Sequence, residues 1–461
     1  MSRKRIASSF RDPSGYLFID HGEIYRQINQ SYRTHYDLLI DSGLYKKLVE
    51  YNLLIEHREV PQDLEGGSQS RYKLIKPEPV PFISYPHEWC FDELQDAALT
   101  TLQIQQLALE HGLSLKDASA FNIQFKDGKP LLIDTLSFER YNEGSPWIAY
   151  RQFCQHFLGP LALMYYRDYR LNQLWRVYID GLPLDLVSRL LPKRTYGRPA
   201  LLIHLHLHAR AQRYYSSGSV QKTRPNVTRQ SLLGILGNLE AAIRKFNYKL
   251  PASEWSDYYQ DIHYSSEALS HKSDLVSKAL DMVSPRIVWD FGANTGLFSR
   301  LAADRGIPTV AFDLDHAAVT RNYRDCRRHK QTSLLPLVLD LANPTSGFGW
   351  DHRERMSLQE RGPADLALAL ALMHHLRITN NVPLENIARF FAKICRALLI
   401  EYVPKSDTMV QKLLENREDI FSDYQEEVFE LCFNEYFTLI DRFDIQDTDR
   451  KLYLYKAKTR G

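Results

Sequence analysis

The residues with most chemistry to offer lie in one stretch, IVWDFGANTGLFSRLAADRGIPTVAFDLD, residues 287–315. An apolar run ends at Asp290, and the turn Gly292-Ala293-Asn294-Thr295-Gly296 follows. Gly292 permits a tight turn with close backbone approach, and Gly296 lets a helix begin beside a ligand with its first N–H groups unpaired. Leu297, Phe298, Leu301 and Ala302 then give that helix one apolar stripe, which Gly306 and Pro308 close. The next apolar run ends at Asp313, where a carboxylate can accept both hydroxyls of a ribose. The arrangement outlines a nucleoside site; its plain alternative is a structural turn that binds nothing.

Electrostatics separates the two nucleoside classes. A dinucleotide turn wants G-x-G-x-x-G so that backbone can hug a pyrophosphate. Here the glycines are spaced G-x-x-x-G, and Asp290 aims a carboxylate at the turn. That charge repels a pyrophosphate and suits a ligand bearing ammonium and sulfonium groups, which favours S-adenosylmethionine. Methyl transfer from such a donor is an in-line displacement, so the protein mainly aligns donor and acceptor. An oxygen or nitrogen acceptor must also lose a proton. His374 and His375 end the fourth apolar run of this region, and Glu401 with Tyr402 ends the fifth. Both histidines and Glu401 are therefore candidate catalytic residues. Their bland alternatives are a pair of capping or space-filling histidines and a Glu401 that pairs with Lys405.

Strands alternating with helices position these groups. From residue 255 the pattern reads as a polar-rich helix near 265–281, RIVWDF, the helix from Leu297, TVAFD, a helix near 316–329, LLPLVLD, DLALALALM, a helix near 383–395, and ALLIEYV. YFTLIDRF and RKLYLYKAK close the chain as a hairpin. Such alternation implies a mostly parallel sheet covered on both faces, with ligands beyond the carboxyl ends of its strands. The charged insertion 345–363 reads as a solvated loop, or else as a lid that recognises the acceptor.

VWDFGANTG, VAFDLD, LVLDLANP and LALALALMHHL, taken in order, resemble the successive motifs of class I S-adenosylmethionine-dependent methyltransferases. That resemblance implies a Rossmann-like α/β sheet over 255–461. It further implies that Asp290, Gly292, Asn294 and Gly296 line the methionine end of the cofactor, Asp313 the ribose, and Asp340 with Leu341 the adenine. SGLYKKLVEYNLLI, ISYPHEW, LKDASAFNIQF and PWIAYRQFCQHFLGPLAL are similar to the nodulation-protein NoeA-like group of methyltransferases.

The N-terminal half carries a second constellation. Asp117 and Asn122 have the spacing of a kinase catalytic loop, and Asp134 follows twelve residues on, after a hairpin turning at KDGK. Residues 115–139 resemble protein-kinase-like and aminoglycoside-phosphotransferase-like folds. Leu115 stands where those folds place a histidine, and no glycine-rich phosphate loop precedes residue 80. A degenerate kinase-like α+β domain that aids substrate or partner binding is the expectation. An active kinase, or a turn merely capped by Asp117 and Asn122, are the alternatives. The histidines of LLIHLHLHARAQ, residues 201–212, have no cysteine or carboxylate close by, so a packed helix is expected there rather than a metal site.

The whole chain limits what else is possible. Its 461 residues suffice for two domains with substantial cores, and 58 basic against 56 acidic side chains leave a net charge of only +2. That balance offers no signal for nucleic acid or a membrane. The longest apolar run, ADLALALALM, is half of the roughly 20 residues that span a bilayer. The five scattered cysteines form no CxxC, which fits a reducing cytoplasm and no metal framework. The expected organisation is an N-terminal domain over 1–225, a linker and helix over 226–254, and a methyltransferase domain over 255–461. The methyl acceptor, small molecule or macromolecule, is not legible; a non-catalytic nucleotide-binding scaffold is the alternative function.

Overall fold

The computed structural model describes residues 4–61, 70–211, 226–249, 265–415 and 417–458. Two compact units emerge: Met1–Lys249 with Phe348–Arg355, and Leu250–Gly347 with Met356–Gly461. Of the linker and helix expected over 226–254, residues 250–254 lie outside the described residues. The helix Arg229–Arg244, capped by the Thr228 hydroxyl, belongs to the first unit.

The first unit opens with an antiparallel sheet in the order β1-β2-β3-β5-β4, formed by β1 (Lys4–Arg5), β2 (Gly15–Asp20), β3 (Glu23–Asn29), β4 (His57–Glu59) and β5 (Arg71–Pro77). Helices Arg33–Asp41 and Leu44–Glu50 lie between β3 and β4 in the chain. The long helix Phe91–Glu110 follows, its start fixed where the Glu93 carboxyl accepts from the Cys90 N–H at 2.8 Å. Three short strands then pair with one another: β6 (Leu113–Leu115) with β9 (Phe138–Arg140), and β7 (Ile123–Lys126) with β8 (Lys129–Leu132). The β7–β8 hairpin turns at Asp127 and Gly128, both with positive φ, as the KDGK spacing predicts. In chain order the first unit is thus a five-stranded sheet with helices between its third and fourth strands, then a long helix and a hairpin that Asp117 and Asp134 flank.

The second unit is built on one seven-stranded sheet, comprising β10 (Val288–Phe291), β11 (Thr309–Asp313), β12 (Leu334–Val338), β13 (Ala364–Ala369), β14 (Cys395–Tyr402), β15 (Phe437–Asp444) and β16 (Lys451–Ala457). The order is β12-β11-β10-β13-β14-β16-β15, with the first five strands parallel and β16 antiparallel to both of its neighbours. This is a Rossmann-like sheet with a terminal antiparallel hairpin, the α/β architecture expected over 255–461. Strand alternation sends Val288, Leu366, Leu368, Leu399 and Leu454 into one core with Val276, Phe298 and Ala302. On the other face Phe291 stacks on Phe312 at 5.1 Å and meets Phe391 edge-on at 5.7 Å. Both faces are thus dry, which is why these strands read as unbroken apolar runs.

The insertion between β12 and β13 is solvated only in part, with residues 350–353 exposed. Residues 348–355 count among the first unit, and Glu354 is 4% exposed. Among the described residues no helix is long and apolar enough to cross a membrane.

Candidate functional site

The order reverses between β10 and β13, since the chain runs from β10 outward to β11 and β12 and then returns to β13 on the other side; in an open parallel sheet ligands bind beyond the carboxyl ends of strands at such a point. Asp290 sits there, 2% exposed, accepting from the Ser299 hydroxyl at 2.6 Å. Burial, with the negative charge of Asp313 adding, raises its pKa to about 7. The turn beyond it is left-handed at Gly292, Asn294 and Gly296, with φ of 73°, 51° and 82°. The N–H groups of Gly292 and Ala293 both reach the Phe312 carbonyl, which locks the turn to β11. A Cβ on Gly296 would lie 2.5 Å from Asn322 Nδ2, so this glycine is demanded by space as well as by φ.

Asp313 ends β11 and grips the same turn. One oxygen accepts from the Asn294 N–H at 2.7 Å and the other from the Asp315 N–H at 2.8 Å. Its pKa is pushed up to about 6 by burial, which those backbone donors oppose. The Leu314 N–H is a further backbone donor to this carboxylate. Asp340 and Leu341, both half-buried, follow β12, where the Leu339 N–H donates to the Asp313 carbonyl and Asp340 accepts from the Ala342 N–H. The structure therefore brings Asp290, Gly292, Asn294, Gly296 and Asp313 into one turn and sets Asp340 and Leu341 on the next strand end.

His374 and His375 follow β13, their rings 4.2 Å apart. Burial lowers the pKa of His375 to about 4, and burial with the neighbouring His375 holds that of His374 well below the usual imidazole value, so both rings are neutral near pH 7. His375 is half-buried and His374 fully buried.

Glu401 departs from its expected part. It is fully buried, one oxygen 2.5 Å from Lys272 Nζ and 2.8 Å from the Ala371 N–H, the other 3.4 Å from Arg450. A carboxylate neutralised by two cations and held by an amide is a poor acceptor for a substrate proton. The pairing with Lys405 does not form either, since Lys405 lies 2.5 Å from Asp419. Glu401 instead anchors a polar cluster: Lys272 packs its ammonium 4.8 Å from the Phe298 ring centre, and Arg450 is bidentate to Asp407. Ala371, tied to Glu401, adopts φ of 49° just ahead of the histidines. Lys272, Ser299, Asn322 and Arg450 have no signature in the sequence, because each is defined only by a partner far along the chain.

In the first unit Asp117 accepts from the Ser119 N–H and from Gln152, and burial raises its pKa with the charge of Asp134 adding. Asn122 donates to the Ser137 hydroxyl at 3.5 Å, and Asp134 pairs with Arg26 at 2.7 Å. Among LLIHLHLHARAQ, His204 is hydrogen-bonded to Tyr150 and Asn238, and His206 to Ser188 and Thr195. Both are buried helix residues with protein partners.

No protein-family model matches the chain. Nodulation protein NoeA of Rhizobium meliloti (strain 1021) is 32% identical over 463 residues, covering 98% of this chain and 96% of that protein. Among solved structures, the bifunctional kinase-methyltransferase WbdD aligns at 17% identity and a TM-score of 0.31, over 45% of this chain and 43% of its own. N-methyltransferase NodS from Bradyrhizobium japonicum WM9 aligns at 14% identity and a TM-score of 0.31, over 42% of this chain and 99% of its own. With about one residue in three shared along nearly its whole length, the chain belongs to the family of nodulation protein NoeA.

Proposed function

We propose that the second unit binds S-adenosylmethionine and directs its methyl group to an acceptor, small or macromolecular. One observation carries this reading: two carboxylates, the buried Asp290 and the half-buried Asp313, serve a single glycine turn at the carboxyl ends of adjacent parallel strands. Their raised pKa values mark a site short of positive charge, which a cationic ligand supplies and a pyrophosphate worsens.

In this reading Gly292 and Gly296 let backbone approach the methionine end, with Asp290 and Asn294 beside it. Asp313 accepts from the ribose hydroxyls, and Asp340 with Leu341 borders the adenine. The cofactor supplies a methyl group already activated on sulfonium, so the protein's task is alignment and exclusion of water. His375, neutral and half-buried, is the group that takes a proton from the acceptor. His374 packs against it, and Glu401 holds the Ala371 bend that leads into both; Glu401 is a positioning residue, not a base.

Calorimetric titration with S-adenosylmethionine, S-adenosylhomocysteine and NAD tests the reading. Binding of the first two without NAD is the expected result. Failure of both adenosyl ligands to bind the folded chain refutes it.

A further inference from the structure

The first unit has the order of a phosphotransferase, and Asp117, Asn122 and Asp134 stand where such a fold holds metal and nucleotide. Their surroundings do not fit that ligand. The segment that would cover the phosphates, Ile6 to Ser14 between β1 and β2, contains no glycine and presents a carboxylate, Asp12. Arg26 on β3 reaches between the two acids: one guanidinium nitrogen lies 2.7 Å from Asp12 and the other 2.7 Å from Asp134. Arg26 is only 7% exposed, and a guanidinium cannot discharge itself to make way. Asp134 further accepts from the Leu136 N–H at 3.0 Å and the Ser137 hydroxyl at 2.8 Å. Arg26 is thus already committed to both carboxylates, and a polyphosphate entering here would face Asp12, a like charge.

The other side of this cleft is filled by residues 348–355. Phe348 and Arg355 exchange backbone hydrogen bonds of 3.2 and 3.0 Å, closing the segment on itself. The Phe348 ring lies 5.5 Å from Tyr85, 5.6 Å from His87 and 6.1 Å from Phe121, which stands between Asp117 and Asn122 in the chain. The Arg355 guanidinium lies 4.6 Å from the Phe121 ring centre, within reach of the charge on Asp117. Glu354 accepts from Arg11 at 3.1 Å and from the Trp350 N–H at 3.0 Å, so the segment also fastens the Ile6–Ser14 loop. Gly349, at φ of 79°, leaves no room for a Cβ, which would lie 2.8 Å from Ile179.

We infer that this cleft is closed to a metal-nucleotide and is instead the receptor for residues 348–355, so that the kinase-like unit acts as a clamp on that segment of the chain. The inference is independent of what the second unit binds. Two measurements on the full chain test it. The melting temperature should be unmoved by millimolar Mg·ATP; a magnesium-dependent rise that Asp134→Asn abolishes would overturn the closed cleft. Amide hydrogen exchange of residues 348–355 should quicken at least about tenfold in Phe348→Ala while the β7–β8 hairpin keeps its protection. Glu354→Gln, which breaks the Arg11 pair and keeps the side-chain shape, replaces Phe348→Ala where the latter does not fold. Wild-type protection of 348–355 in the folded variant would show that the clamp does not hold the segment.

Discussion

Asp290→Asn separates the charge of this carboxylate from its shape. In the folded chain its pKa is about 7 against an ordinary 3.8, because it is buried beside Asp313. Between those values the folded chain holds a proton that the unfolded chain has released, so stability falls as pH rises from about 4 to 7 and is level above. At about 1.4 kcal/mol per pH unit, the ionised carboxylate costs the ligand-free fold about 4 kcal/mol at pH 8. Asparagine keeps an oxygen for the Ser299 hydroxyl, now 2.6 Å from Asp290, and carries no charge. The variant should therefore match wild type at pH 4, gain with each pH unit, and be more stable by about 4 kcal/mol at pH 8. Thermal melts of both proteins across this range, followed by circular dichroism, read the difference. In parallel, S-adenosylmethionine should bind wild type more tightly as pH rises through 7 and bind the variant at least about tenfold more weakly at pH 8. A variant destabilised equally at every pH would refute the argument, since shape and not charge would then govern the site.

Two further perturbations address the frame of the site. Lys272→Met leaves Glu401 buried with Arg450 as its remaining cation, and should lower stability by about 3–5 kcal/mol in denaturant unfolding; a loss under about 1 kcal/mol would mean that Arg450 alone satisfies the carboxylate. Gly296→Ala forces a side chain to φ of 82° and against Asn322, and should cost about 1–2 kcal/mol in backbone strain along with most of the cofactor affinity. Undiminished titration with S-adenosylmethionine would move the ligand away from this turn.

Much of the second unit was legible because its physics is local. Helix spacing, apolar runs of strand length and the glycines of the turn follow from short-range rules, and the elements fall within a few residues of their expected places. The glycine turn was legible for the same reason, since Asp290 to Gly296 is a single strand-turn-helix. The N-terminal constellation of Asp117, Asn122 and Asp134 was visible as spacing, and the KDGK hairpin as turn chemistry. Arg26 could not be found that way. It sits ninety-one residues before Asp117 in a strand of ordinary composition, and only the sheet brings it onto Asp134.

Glu401 and the 345–363 insertion show what the tertiary structure alone decided. A glutamate at a strand end reads as a catalytic acid or a surface partner, because the sequence displays the charge and hides its neighbours. Folding sets it between Lys272, 129 residues earlier, and Arg450, 49 residues later, and a carboxylate so neutralised becomes an anchor. A charged insertion likewise reads as solvent-loving, yet Phe348 and Arg355 find aromatic faces supplied by residues 85–121. The sequence by itself determined the periodic elements, the glycine turn and the acids at its strand ends, all products of interactions a few residues long. Which charges meet, and therefore which acid anchors the fold and which stays without a cation among the described residues, was decided by packing, because burial and pairing are set by residues distant in the chain.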